Sequence, residues 1–430
     1  MKNRRQFLKH FGLATTTGVI ANKLLLPKVE KSIDKANNRV ESLSPENCAH
    51  EESYWESIRA AYQVSEEIIN LNNGGVSPHP IVVEEAMVRF HRYSNKIPSF
   101  NMWRNLDRER EPLREKLAML AGCDPEEIAI QRNASEALET VIFGLPLKKG
   151  DEVILCKQDY PNMMNAWRQR EKRDGIVLKW LDFKFPIEDK VEIVNRYEAA
   201  ISKKTKIFHV THIINWMGQI MPAKELADVA HKNGIEIILD GAHSFAHIDF
   251  SIQDLDCDYF GTSLHKWLGA PFGTGMLFVK KKKIRKIYPL LAAPQNQRKD
   301  IRKFENLGTR SFAIEQAIGQ AINFHEKIGI KRKEARLRHL TSYWTNAVES
   351  ISGVSIGTSA KKEFGCAISL LQINHLSPNT VAQRLYSEFN IHAVAIDIHN
   401  VFGVRITPNV YTLKKDLDLL IEAITFISKT

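Results

Sequence analysis

Asp240 and Lys266, a carboxylate and an amine, each stand at or just past the end of a short apolar run. The run 235–239 stops at Asp240-Gly241-Ala242-His243, and a second, about 259–262, stops at Ser263-Leu264-His265-Lys266. A third run, 275–279, follows glycines at 269, 273 and 275. Four to eight apolar residues closed by a turn read as a buried strand. In open α/β sheets, ligands bind at the carboxyl ends of such strands. A lysine held there can form a Schiff base with an aldehyde, and a carboxylate can keep a ring nitrogen protonated so that the ring draws in electrons. Together these are the requirements of a pyridoxal phosphate site. Taken alone, the two residues fit a plain Asp–Lys ion pair equally well.

Other polar residues recur at strand ends. The strand 128–130 is followed by Arg132-Asn133-Ala134-Ser135-Glu136-Ala137, which opens a helix running to about 145. A helix start offers unpaired N–H groups and the positive end of the dipole, a seat for phosphate. Ala134 and Ser135 stand at that seat, with a helix-capping role for Ser135 as the alternative. The stretch has neither a Walker A lysine nor a GxGxxG pattern. Tyr160 follows the strand 153–156 and either stacks on a planar ring or packs. The strand 206–210 runs into THIINWMGQIMP, which brings His212, Asn215 and Gln219 to a strand–helix junction. His243 can stack on a cofactor ring or hydrogen-bond near its phenolic oxygen, and Ser263 and His265 can reach its phosphate. Burial and neighbouring cations would lower the pKa of Lys266 and favour imine formation. Trp103 and Arg104, in an expected loop before a helix at 107–120, could line a substrate mouth or simply pack. His243 and His247 are four apart, but no HExxH accompanies them and no metal site is assigned. No GxSxG elbow exists for a serine hydrolase.

These residues need a scaffold, and the chain alternates helices with strands from about 127 to 287, the mark of a mostly parallel, doubly wound α/β sheet. Residues 22–48 look like a linker or extended arm, and 51–69 read as a helix ending in the turn-rich NLNNGGVSPHP. Beyond 287 the pattern changes. A loop at 303–311 precedes helices at 312–327 and 331–350, then a strand 366–373, a helix 378–388, a strand 401–407 carrying Arg405, and a helix 414–428. This describes a smaller α+β domain.

At 430 residues and 43% hydrophobic, the chain can bury a large core. Its five scattered cysteines argue against a disulfide scaffold. The net charge is +10, but the basic clusters at 281–286, 298–303 and 331–339 lack interleaved aromatics or glycines and read as solvated faces, not a nucleic-acid surface. Arg4-Arg5 followed by Phe7-Leu8-Lys9 resembles a twin-arginine export signal. That implies an exported, periplasmic protein, with a cytoplasmic one as the alternative. Without residues 1–21 the charge is +6. No other apolar stretch is long enough for a stable membrane span.

Asp240-Gly241-Ala242-His243, Ser263-Leu264-His265-Lys266, Gly308-Thr309 and Arg405-Ile406-Thr407-Pro408 together resemble the class V aminotransferase family of fold-type I pyridoxal phosphate enzymes, over roughly 70–425. The RNASEAL, DYPNMMNAW and NWMGQIMP runs are similar to the branch named for isopenicillin N epimerase. The resemblance implies a seven-stranded, mostly parallel sheet in a large cofactor-binding domain (70–305) and a small C-terminal domain (306–430). Ahead of these stand a signal and linker (1–30) and an N-terminal arm packed on the small domain (31–69).

By the same resemblance, Lys266 carries the cofactor and moves the alpha proton, and Asp240 pairs with the pyridine nitrogen. Tyr160 takes the ring-stacking position and Asn215 the phenolic oxygen. Ala134, Ser135, Ser263 and His265 bind phosphate, and Arg405 clamps the substrate carboxylate. A homodimer with shared active sites is implied, Thr309 reaching the partner subunit's phosphate. Cysteine desulfurases of the family need a cysteine near the carboxylate-binding arginine, and FNIHAVAIDIHNVFGVR before Arg405 has none. The resemblance therefore implies action at the alpha carbon of an amino-acid-type small molecule, as an epimerase or racemase, with an aminotransferase as the alternative. A desulfurase or lyase, or a non-catalytic binding protein, ranks below both.

Overall fold

The computed structural model describes residues 31–429, so the export-signal stretch lies outside the described residues. Residues 31–40 are helical, and a second helix spans Pro45–Ala49. The expectation of a linker here is corrected. Ile33, Ala36 and Val40, spaced three and four apart, are buried in one cluster with Tyr54, Trp55 and Ile58, a stripe too narrow to stand out in a polar segment. The helix expected over 51–69 is also shorter, spanning Glu52–Arg59. The Ser65 hydroxyl accepts from the N–H groups of Glu67 and Ile68, a local alternative to helix. The chain then enters a two-residue strand, β1 (Ile69–Asn70).

The large sheet comprises β2 (Ile128–Gln131), β3 (Glu152–Cys156), β4 (Val177–Leu181), β5 (Thr205–Thr211), β6 (Glu236–Asp240), β7 (Tyr259–Ser263) and β8 (Gly275–Val279), in the order β2-β8-β7-β6-β5-β3-β4. Only β8 runs against its neighbours. Alternate residues of each strand serve opposite faces. Ile154, Phe208, Val210, Ile237, Leu239, Met276 and Phe278 join one core cluster, whereas Val153, Leu155, Ile207, Ile238, Leu277 and Val279 join another. Both faces are covered, which is why these strands read as continuous apolar runs.

The smaller domain is a four-stranded antiparallel sheet, β12-β13-β10-β9, built from β9 (Val354–Ile356), β10 (Ser369–Ile373), β12 (Val394–Ile398) and β13 (Val401–Ile406). Helices Ile330–Val348, Pro378–Phe389 and Lys414–Ile427 cover it around a third cluster. The short strand β11 (Ile391–His392) pairs in parallel with β1, so the N-terminal segment is sewn to this domain. The stretch 303–311, expected as a loop, begins in a short 3-10 helix, Ile301–Glu305. Among the described residues, no helix is long and apolar enough to cross a membrane.

Arg336 is fully buried and joins the N-terminal arm to the small domain. It donates to the carbonyls of Ala49 (2.9 Å) and Thr412 (3.2 Å) and pairs with Glu52 at 2.5 Å. Arg336→Met removes the donor to both carbonyls and the charged partner of Glu52, which keeps the Lys414 N–H at 3.2 Å. It should lower unfolding stability by about 3 kcal/mol, read as a fall in the urea midpoint at unchanged slope.

Candidate active site

β6 delivers Asp240 and β7 delivers Ser263 to the carboxyl edge of the sheet. The turn after β6 requires glycine, since a Cβ at Gly241 would lie 1.9 Å from Phe260 Cζ. This close approach lets the chain fold back so that the Ala242 N–H donates to Asp240 Oδ1 at 2.9 Å. Asp240 is buried, and desolvation raises its pKa against the opposing pull of that bond and of Lys266.

Lys266 does not form the plain ion pair that Asp240 and Lys266 alone would allow. Its Nζ sits 3.1 Å from His243 Nε2. Desolvation, reinforced by Arg405 and only partly offset by Asp240, lowers the pKa of the amine to about 8. His243 is held well below its ordinary value by burial first, then by Lys266, Arg405 and His247, so its ring is neutral.

Helix Ala134–Gly144 begins beside them. Its cap is Asn133, whose Oδ1 accepts from Glu136 N at 2.8 Å, which corrects the capping alternative for Ser135. Ser135 instead lies half-buried in the first turn. Ser263 Oγ accepts from Ala134 N at 2.9 Å, leaving its own O–H to donate elsewhere. A Cβ at Gly275 would lie 2.6 Å from the Asn133 backbone, so only glycine allows β8 to abut this turn. His265 Nδ1 donates to the Thr274 carbonyl at 3.0 Å. Thr309 is exposed on the loop after the 3-10 helix.

β13 brings Arg405 across from the small domain. The guanidinium donates to the Asn215 carbonyl (3.0 Å) and to Asn72 Oδ1 (2.8 Å), while its Nε and the buried Asn215 Oδ1 lack partners. The exposed Tyr160 precedes helix Pro161–Asp174 and lies near enough to the Arg405 guanidinium to bear on it electrostatically. Other residues singled out in the sequence serve elsewhere. Gln219 spends its amide on both backbone groups of Ile187. Both ring nitrogens of His247 are taken, by the His243 carbonyl and by Ala367 N. The stretch around Trp103 is a π-helical turn, Asn101–Leu106, and not the expected loop. Trp103 packs edge-on against Phe312 at 5.0 Å and Arg104 is exposed. Among the described interactions, neither meets the Lys266–Arg405 cluster.

Three contributors escaped the sequence reading. Asn72 holds Arg405, and its signal was the glycine-rich loop that contains it. Asp159, next to Tyr160 in the chain, is buried, accepts from Cys156 N and Thr211 Oγ1, and has its pKa raised by burial to about 7. Trp267 donates its indole N–H to His243 Nδ1.

The donor set suits pyridoxal phosphate. A desolvated carboxylate calls for a cationic ring nitrogen, a capped helix start with a free hydroxyl suits a phosphate, and an amine depressed to about 8 suits an aldehyde. Desolvation of Lys266 also has a stability consequence. Its folded-state pKa lies below the unfolded 10.5, so the penalty is fully present below about pH 8 and fades between pH 8 and 10.5. The cofactor-free Lys266→Met protein should be more stable than the cofactor-free parent by about 2 kcal/mol at pH 7, allowing for partial solvent screening. Urea titrations should show that gap closing above pH 10.

A family model described as aminotransferase class-V matches residues 69–398. Curated relatives include isopenicillin N epimerase of Streptomyces clavuligerus, 27% identical over 390 residues, covering 86% of this chain and 97% of the relative. A probable cysteine desulfurase of Halalkalibacterium halodurans is 29% identical over 339 residues, covering 74% and 80%. Among solved structures, the cysteine desulfurase CsdA from Escherichia coli superposes with a TM-score of 0.77 at 20% identity, covering 87% of this chain and 98% of that one. The named relatives divide between epimerases and desulfurases, but the family match takes in every strand of the large sheet and reaches into the small domain. This chain therefore belongs to the class V aminotransferase family, whose cofactor is pyridoxal phosphate.

Proposed function

We propose that this protein is an epimerase or racemase acting at the alpha carbon of an amino acid or amino-acid-containing substrate. The observation that carries this reading against a desulfurase is the state of the thiols. Cys48, Cys156, Cys257 and Cys366 are buried and Cys123 is half-buried. Desolvation raises every one of their pKa values, to about 12 at Cys123 and Cys366. Persulfide chemistry needs an accessible thiolate, and none of the five is poised to supply one. The similarity to the Streptomyces clavuligerus epimerase adds support.

When bound, pyridoxal phosphate supplies an electron sink that acidifies the alpha C–H. In this reading Lys266 binds the cofactor and takes the proton at Nζ. Asp240 keeps the ring nitrogen charged, and His243 and Asn215 face the phenolic oxygen. Ala134, Ser135, Ser263 and His265 hold the phosphate, and Tyr160 stacks on the ring. Arg405 binds the substrate carboxylate, a bidentate role suited to a guanidinium. Inversion needs a second acid on the opposite face, and the Tyr160 hydroxyl is the group we assign. Two copies would share their sites, with the exposed Thr309 reaching the phosphate held by a second copy. We also propose that Arg4-Arg5 and Phe7-Leu8-Lys9 direct export. Replacing both arginines by lysine should then leave the protein in the cytoplasm.

The holoenzyme should show a visible band that Lys266→Ala abolishes. Candidate amino acids incubated in deuterated water without any keto acid should invert and take up deuterium at the alpha carbon. Amino transfer that depends on a keto acid, without inversion, would instead make the protein an aminotransferase. Tyr160→Phe should cut inversion at least tenfold while leaving alpha-proton exchange on the Lys266 face.

A further inference from the structure

Trp267, the residue after the cofactor lysine, has every polar group of its side chain and its carbonyl committed. Its indole stacks on the His247 ring at 3.7 Å and 14°. The His247 ring is itself fixed: Nε2 accepts from Ala367 N at 3.1 Å, so Nδ1 bears the proton and donates to the His243 carbonyl at 2.7 Å. The Trp267 carbonyl accepts from the buried amine of Lys333, on helix Ile330–Val348. Held from two sides, the indole N–H points at His243 Nδ1, 3.4 Å away.

An indole nitrogen only donates, so His243 Nδ1 accepts and carries no proton. A neutral imidazole then bears its proton on Nε2, the nitrogen 3.1 Å from Lys266 Nζ. Two donors cannot share one hydrogen bond, so the amine accepts. We propose that Trp267 is a positioning residue that fixes the His243 tautomer, so that the Nε2–H donates to Lys266 and favours the neutral, nucleophilic form of its amine. The charged and titratable groups around the pair are Asp240, Arg405, His247 and His265, with Lys333 and Arg338 behind His247. Asp240 alone favours an ammonium at Lys266. The proposed bond and Arg405 oppose it.

The inference rests on Lys266 being the cofactor lysine, but its first test does not. Full-length protein labelled with 15N-histidine, stripped of cofactor, is compared as parent and Trp267→Phe, with His243→Gln to assign the ring signals. The parent should show an Nε2-protonated His243, and Trp267→Phe, which keeps the stack on His247, should move the proton to Nδ1. The second readout is the pH dependence of pyridoxal phosphate uptake, followed by the visible band. With Nε2 turned acceptor for an ammonium, the apparent pKa should rise by about one unit, slowing uptake about tenfold below it. An Nδ1-protonated His243 in the parent overturns the inference even if the variant fails to fold. So does a folded variant with an unchanged tautomer and an unchanged uptake profile. No band in the parent would defeat the reading of Lys266 while the ring signals still decide the tautomer.

Discussion

The site depends on two opposite charges desolvated at one edge of a sheet without touching each other. Asp240 takes its hydrogen bond from the Ala242 backbone, and the Lys266 amine lies against an imidazole. Had they closed into a direct pair, each would have satisfied the other and neither would remain available. Kept apart, the carboxylate retains its affinity for a cationic ring and the amine is pulled down to about 8, so that about a tenth of it is already neutral at pH 7. Burial does this work, and the separation preserves it.

Arg405 extends the same constraint to the second domain. A guanidinium arriving on β13 must be met by acceptors, and it finds the Asn215 carbonyl from the large domain and Asn72 from the loop between β1 and the following helix. That loop is tied in turn to the strand end beyond Arg405. Gly74 N donates to Thr407 Oγ1, Asn73 Nδ2 donates to the Thr407 carbonyl, and Ser77 N reaches the His265 carbonyl beside Lys266. A Cβ at Gly74 would crowd the Thr407 methyl at 3.1 Å, so the loop has little room for a side chain there. One short loop thereby registers Arg405 against Lys266.

Much of this was legible from local pattern. The apolar runs ending at Asp240 and Ser263 marked buried strands because parallel strands covered on both faces carry few polar interruptions. The helix start at 134 and the change of pattern after 287 were equally plain. The misreadings have local causes too. The helix at 31–40 has only three residues on its buried stripe, and the hydroxyl of Ser65 diverts the chain from helix before β1.

The sequence by itself determined the family architecture and singled out Lys266, Asp240 and Arg405 as candidates, because their side-chain types stand at the ends of regular elements. Tertiary structure alone decided how they relate: that Lys266 faces His243 and not Asp240, that Asn133 and not Ser135 caps the helix, and that Trp103 packs on Phe312. It also brought Asn72, Asp159 and Trp267 into the site. These relations depend on directions of side chains from elements far apart in the chain, and residue spacing holds no record of them.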